Sequence, residues 1–442
     1  MVGERAVAAT TTARWVPKGG VLPRRPVAGG PGGRMDTPTR LWLLLVTAVA
    51  AVLAVGLAAG LSLAGRESTA SRTAQSTEAL YAEVQDLSYN LADANATAAT
   101  ALLTGSETTS AFTSRYDSDL SQAEDLLSAA SQRVAGDAYA SARLKSVAEQ
   151  IPVYTGLIGQ ALADNRLGYP VSGGYLRQAS GLLTGSMLVE TGDVAREQQA
   201  STSGGIGSAS SFALWVLVFG LIGFVAIRLV ARRVTRITQR RVNLGLFGAT
   251  IAVIGLFGWS LFAFGGAGIE AGSAGDDFAS ISSAQTEVSQ LSLAETYVAL
   301  QQIDRGEDNG TDATAVKAEL TAAEPAAGEA ASSSSAALAS ARSEYNKFDS
   351  CALAAINAAD DGRYESTVNP TSGVGGCEPS ATALHDDLLY IFDESQAHFD
   401  QDMSSLGAQY AGSGALPVAI AIGVLGAVAA AYGLNRRLAE YR

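Results

Sequence analysis

The chain alternates between long apolar runs almost free of charge and long stretches in which apolar positions return every three or four residues. Runs of the first kind cover residues 41–63, 211–230, 243–264 and 415–434. Each holds about the 20 apolar residues that a helix needs to cross roughly 30 Å of hydrocarbon, so each is expected to span a membrane. The second kind fills 66–207 and 265–413. Leu80, Val84, Leu87, Leu91, Ala94, Ala98 and Leu102 mark one face of a helix that continues out of the first span. Leu384, Leu388, Ile391, Phe399, Met403, Leu406 and Tyr410 mark another that leads into the fourth. Alternating β-branched runs are absent, which excludes a sheet domain.

Breakers cut each stretch three times. In the first they lie at 105–110, around Gly136 and at 167–174; in the second at 306–311, 332–335 and 362–376. Three breaks give four helices. The first helix leaves the membrane and the fourth returns to it, so the first and third breaks lie at the far end. The expected fold class is an all-α membrane protein in which four transmembrane helices carry two tandem extracytoplasmic four-helix bundles. Pro152 and Pro325 fall inside predicted helices and should kink them or mark local irregularity.

The two halves repeat one another at a spacing of about 200 residues. Asp119-Leu120-Ser121-Gln122-Ala123-Glu124 matches Glu319-Leu320-Thr321-Ala322-Ala323-Glu324, and Ala140-Ser141-Ala142-Arg143 recurs as Ala339-Ser340-Ala341-Arg342. Ala163-Asp164-Asn165-Arg166 returns as Ala359-Asp360-Asp361-Gly362-Arg363, and Pro170-Val171-Ser172-Gly173 as Pro370-Thr371-Ser372-Gly373. Four matches in order read as an internal duplication.

Charge then orients the chain. Arg24, Arg25, Arg34 and Arg40 precede the first span, Arg228, Arg232, Arg233, Arg236, Arg240 and Arg241 follow the second, and Arg436, Arg437 and Arg442 follow the fourth. Basic residues beside spans stay inside, which puts both termini and the loop 231–242 in the cytoplasm of a plasma-membrane protein. The two long stretches then hold 40 of the 43 acidic residues, and the net charge of −13 conceals a basic inner face and an acidic outer one. Such an outer surface repels nucleic acid. Residues 1–40, rich in Pro, Gly and Arg, read as a disordered basic tail in which Met35 is a second candidate start; 435–442 is a short tail. The first span is too long for an ordinary signal sequence and reads as an uncleaved anchor.

Chemistry is sparse. Cys351 and Cys377 are the only cysteines and fall together in the second outer stretch, where an oxidising environment favours a disulfide. No nucleotide loop, zinc spacing or nucleophile elbow occurs, so no catalytic, cofactor-binding or metal-binding residue is expected. His385 and His398 are surface or packing residues. The acidic groups Asp304, Glu307 and Asp308, and Asp360, Asp361 and Glu365, are solvated charge; the sequons at Asn95 and Asn309 carry no weight. Ionisable groups are absent from the middle of the spans, which argues against transport. Gly56 and Gly60 form a small-residue pair suited to close helix packing.

The Arg-flanked first span, two Ala/Ser-rich helical segments, the Tyr169-Pro170-Val171-Ser172-Gly173-Gly174 turn and the Arg-rich middle loop together resemble the GlnX-like four-pass membrane proteins of actinobacteria over about residues 35–442. The resemblance implies a relay without enzymatic activity: a glutamine-type solute-binding lipoprotein docks outside, and a Ser/Thr protein kinase, protein kinase G in that family, receives the signal inside. Independently of it, bundles that continue into spans and lack any output domain require a separate inner partner. Accessible candidates for the outer contact are Tyr169, Pro170, Tyr175 and Pro370. Arg232, Arg233, Arg236, Arg240 and Arg241 are candidates for the inner contact or for anionic membrane lipid. Two other classes fit the same architecture: a structural envelope scaffold, and a direct small-molecule receptor of chemoreceptor type.

Overall fold

The computed structural model describes residues 37–104, 109–211, 214–238, 244–303, 317–318, 321, 324, 335–363, 377–411 and 415–439. Every extended element among them is a helix. In the first half, α1 (Thr37–Arg72) passes through a π-helical turn (Thr73–Glu78) into α2 (Ala79–Thr104), followed by α3 (Thr109–Arg133) and α4 (Ala138–Arg166). Then α5 (Ser172–Leu182) passes through a second π turn (Leu183–Met187) into α6 (Leu188–Ser210). The second half comprises α7 (Leu214–Thr238), α8 (Leu244–Ile303), α9 (Ser335–Asp360), α10 (Glu378–Ala411) and α11 (Ala415–Ala439).

Four of these helices are long and apolar enough to cross a membrane. Their spans are the first part of α1, α7, the first part of α8, and α11. Val52, Val55, Ile227, Val253, Leu256 and Ala419 are buried between them. Trp215, Phe262 and Leu425 stand more than two-thirds exposed, as lipid-facing side chains do. Small residues bring α1 and α11 together: a Cβ on Gly56 would lie 3.1 Å from the Ala419 carbonyl and 3.2 Å from Gly423 Cα. Between α7 and α8 the packing opens into a cleft of about 500 Å³ lined by apolar residues, among them Leu217, Phe224, Ile254 and Phe257.

In the first bundle α2, α3, α4 and α5–α6 pack together as four antiparallel layers. Asp137 caps α4 by accepting hydrogen bonds from the backbone N–H groups of Tyr139 and Ala140. The helix ends at Gly168, φ +74°, where Tyr169 N–H bonds back to the Asp164 carbonyl. Gly362, φ +72°, ends α9 in the same way, through Arg363 N–H and the Ala358 carbonyl. The second bundle shows α8, α9 and α10. Its expected second helix, with Pro325 and the breaks at 306–311 and 332–335, lies outside the described residues apart from a few positions. So do residues 1–36, the first break at 105–108, Pro370 and the rest of 364–376, and the acidic residues Asp304, Glu307, Asp308 and Glu365 with Asn309.

Pro152 lies inside α4, which continues to Arg166. One local expectation changes. The return helix of the first half does not merge with its span: Ser211 is extended, and the hydroxyls of Ser208, Ser210 and Ser211 bond to carbonyls three residues earlier. Such bonds compete with helix continuation. The two outgoing helices do continue, α1–α2 across 37–104 and α8 across 244–303.

All fourteen apolar positions named on the first and last bundle helices are buried. They do not form two separate interiors. One continuous core runs from Leu87 and Leu144 of the first half to Phe278, Phe399 and Leu406 of the second. Its axis is the pair α2 and α8, which lie side by side.

Candidate functional site

Where α2 meets α8 the contacts join residues about 200 positions apart. Tyr81 packs edge-to-face on Phe278, which in turn meets Phe399, with centroid distances of 5.3 and 6.0 Å. Gln285 donates to Asp86 at 3.3 Å, and Asn95 donates to the Thr296 hydroxyl at 3.3 Å. The carbonyl oxygen of Asn95 accepts from Ser180 and Tyr154, so this fully buried side chain ties three helices to α8. On the flanks, Gln199 of α6 donates to Ser282 of α8, and the Tyr89 hydroxyl lies 2.8 Å from His385 Nε2. At the base the Tyr410 hydroxyl donates to the Ala209 carbonyl.

Charge is concentrated on this seam. Asp93 of α2 is 3% exposed and receives both Nε and Nη2 of Arg115 from α3, at 3.1 and 2.8 Å. Asp119, one turn further along α3, is also buried, and Glu295 of α8 approaches from the other half. Asp93, Arg115, Glu295, Glu378, Thr97 and Phe348 border a small, partly open cavity of about 50 Å³. At roughly 10–15 Å³ per water centre it has room for a few waters.

The electrostatic consequence is one-sided. Burial pushes the Glu295 carboxyl up to about 8, helped by the charge of Asp93 and opposed by Arg115. Asp119 is raised by burial, by Asp93's charge and by the hydrogen bond its protonated form makes to Asp93. Glu78, 2% exposed in the first π turn, is lifted to about 7 by burial and then by Asp400 and Asp86, against Arg133. Burial lifts Asp86 to about 6 against its bond from Gln285, with Asp393 adding to the rise. Burial lowers His385, opposed by the charge of Asp93.

A more open hollow of about 270 Å³ lies where α2, α6 and α8 meet, lined in part by Gln85, Ser88 and Gln199. These three groups bond to Tyr81, Thr191 and Ser282. Among the described residues no group of His, Cys, Asp and Glu side chains is arranged to hold a metal ion.

Residues 69–205 match the family model described as Actinobacterial sensor domain. No curated protein and no solved structure matches the chain. The sensor domain thus takes in the π turn at Thr73–Glu78 and all of α2 to α5, hence the whole first-half wall of the seam. It supports an actinobacterial sensor membrane protein with a sensing and signalling role, and the matched family is a sensing domain rather than a catalytic one.

The residues expected from sequence to contact partners lie away from the seam, whereas Asn95, His385 and Cys377 border it. Tyr169 is 54% exposed and Pro170 is exposed beside it, on the turn between α4 and α5 of the sensor domain. Leu167 and Val171 are exposed on the same turn. Tyr175, expected as a second aromatic anchor, is instead partly buried against the core, because it falls in the first turn of α5 rather than in the loop. Arg232, Arg233 and Arg236 are exposed at the end of α7, while Arg240 and Arg241 lie outside the described residues. Cys351 and Cys377 form a disulfide that joins α9 to the start of α10, and Cys377 borders the seam cavity.

The seam itself was not read from the sequence. Its signal was present: Asp86 and Asp93 stand seven residues apart beside the Leu87, Leu91 and Ala94 stripe, where solvated charge has no place.

Proposed function

We propose that the chain is a non-enzymatic transmembrane signal relay that couples an extracytoplasmic amino-acid-binding lipoprotein to a cytoplasmic Ser/Thr kinase, with both termini inside. The observation that carries this reading is that α1–α2 and α8 run unbroken from their spans into the seam. A change in how the two halves meet moves two spans directly, as rigid helices transmit shifts along their length. Trp259 of α8 packs against both the span cluster and the bundle core, which supports such coupling.

The two halves derive from an internal duplication, a reading supported by the contacts of like positions across the seam: Asp86 with Gln285 and Asn95 with Thr296. In a two-fold arrangement residues on the axis meet their own counterparts. Two bundles in one chain thus stand for a receptor dimer. Docking is favoured over direct capture of an amino acid, since the cavity is small and three polar groups that line the larger hollow are already hydrogen-bonded, Gln85 to Tyr81, Ser88 to Thr191 and Gln199 to Ser282. The exposed Leu167, Tyr169 and Val171, at the end of the sensor domain remote from the spans, offer the apolar surface for the lipoprotein. Arg232, Arg233 and Arg236 face the kinase or anionic lipid.

Affinity capture of the full chain from native membranes tests this. A solute-binding lipoprotein and a Ser/Thr kinase should co-purify, and Tyr169→Ala with Val171→Ser should reduce recovery of the lipoprotein alone. Recovery of neither, together with an unchanged response to external amino acids after gene deletion, would refute the relay.

A further inference from the structure

Four acidic side chains gather at one level of the seam around one guanidinium. Asp93 of α2 and Asp119 of α3 belong to the first half, Glu295 of α8 and Glu378 of α10 to the second. Arg115 is committed to Asp93 through two hydrogen bonds. Among the described residues the other titratable groups near the cluster are Tyr89 on α2, Tyr116 on α3, Tyr154 on α4, and His385 and Asp386 on α10. Tyr89 holds His385 across the seam. None of the three phenols supplies positive charge, and burial pushes the His385 imidazole below its ordinary value. Fully ionised, the cluster sets carboxylates of the two halves against each other, and like charges in a largely buried site repel.

We infer that the cluster is a proton-operated latch between the two halves: α2–α3 and α8–α10 dock while Asp119 and Glu295 hold their protons, and separate when both are ionised. In the docked state protonated Asp119 donates to Asp93, and neutral Glu295 removes the charge that faces Asp93 across the cavity. Loss of the two protons leaves the cluster with an excess of negative charge between the two halves. The sign follows from the direction of the shifts: both groups bind protons more tightly docked than open, so docking is strongest in acid and weakens as pH rises. For Glu295 the loss runs from its ordinary value of 4.5 up to about 8. The chain thereby senses the acidity of the compartment its bundles face, with no partner required.

Hydrogen exchange of the full chain in lipid nanodiscs, corrected for intrinsic rates, reads the latch directly. Seam amides of α2 and α8 should lose about tenfold or more in protection between about pH 5.5 and about pH 8.5, one pKa unit being a factor of ten. Amides of α11 serve as the control and should not change. In Asp119→Asn with Glu295→Gln the seam should stay protected at both pH values, and in Glu295→Gln alone the pH dependence should shrink. Equal protection of the wild-type seam at both pH values overturns the latch. So does a pH dependence that survives unchanged in the single or the double variant. Because no lipoprotein or kinase is present, failure here leaves the relay reading standing, and failure of the relay leaves the latch standing.

Discussion

Asn95 and Thr296 are bonded to each other, side chain to side chain, although 201 residues separate them. Asn95 has no exposed surface, and its carbonyl oxygen is shared by Ser180 and Tyr154. Replacing it with Ala strips partners from three buried groups at once. Asn95→Ala should therefore destabilise the chain by about 1–3 kcal/mol, the cost of leaving buried polar groups unsatisfied. A lower midpoint of thermal unfolding in detergent checks this, and Asn95→Asp at low pH should be milder than Ala.

Arg115 is the charge that makes buried Asp93 tolerable. Arg115→Ala leaves that carboxylate uncompensated among Asp119 and Glu295. The guanidinium is half exposed, so part of its effect is screened; a loss of about 2–3 kcal/mol is expected rather than the larger figure for a fully buried pair. Asp93→Asn combined with Arg115→Gln should recover part of it, since both charges then disappear. Chemical or thermal denaturation of the three proteins gives the comparison.

Glu78 makes a pH prediction independent of the latch residues. Burial and the charges of Asp400 and Asp86 lift it from 4.5 to about 7, and its buried Oε1 has no hydrogen-bond partner. A raised carboxyl contributes stability that is complete below pH 4.5 and lost as pH climbs through about 7. Glu78→Gln should thus unfold at a higher temperature than the wild type at about pH 8 and show little difference at about pH 4.

The span packing makes a steric one. A side chain at Gly56 has to displace the backbone of α11, its Cβ falling 3.2 Å from Gly423 Cα. Gly56→Leu should separate α1 from α11 and cost about 1–3 kcal/mol, as overpacking does. Gly65, with open space around its Cβ position, should accept Ala without loss. Thermal midpoints of the two variants in the same detergent decide it.

How far the sequence reveals this fold depends on which force shapes each part. The spans were legible because lipid demands an unbroken apolar run, and the Leu80 to Leu102 stripe because one buried face imposes a helical period. Periodicity fails where a helix is buried on every side. Between Asn90 and Ala99, α2 is enclosed all round, and it is enclosed by small and polar residues such as Ala92, Asn95, Ala96 and Thr97. On a helical wheel these read as a solvent face. They are small because α8 approaches closely, a fact set by the other half of the chain. Arg115 and Asp93 are likewise ordinary surface charges until the α2–α3 hairpin closes and α8 covers it. Ser211 hid its helix break inside a Ser- and Gly-rich stretch whose hydroxyl bonds appear only in three dimensions.

The central claim is that the seam moves and that its movement reaches the spans. Gln199 of α6 and Ser282 of α8 sit within hydrogen-bond distance across it, so Gln199→Cys with Ser282→Cys sets face to face two thiols that a short bis-methanethiosulfonate cross-linker, cleavable by reduction, can join. The measurement is the cellular response to external amino acid, with the joined and the unjoined chain present in equal amounts. The relay predicts a response that is lost on joining and restored by reduction that leaves Cys351–Cys377 intact. A response of full size from the joined chain would contradict it and leave the bundles as a scaffold.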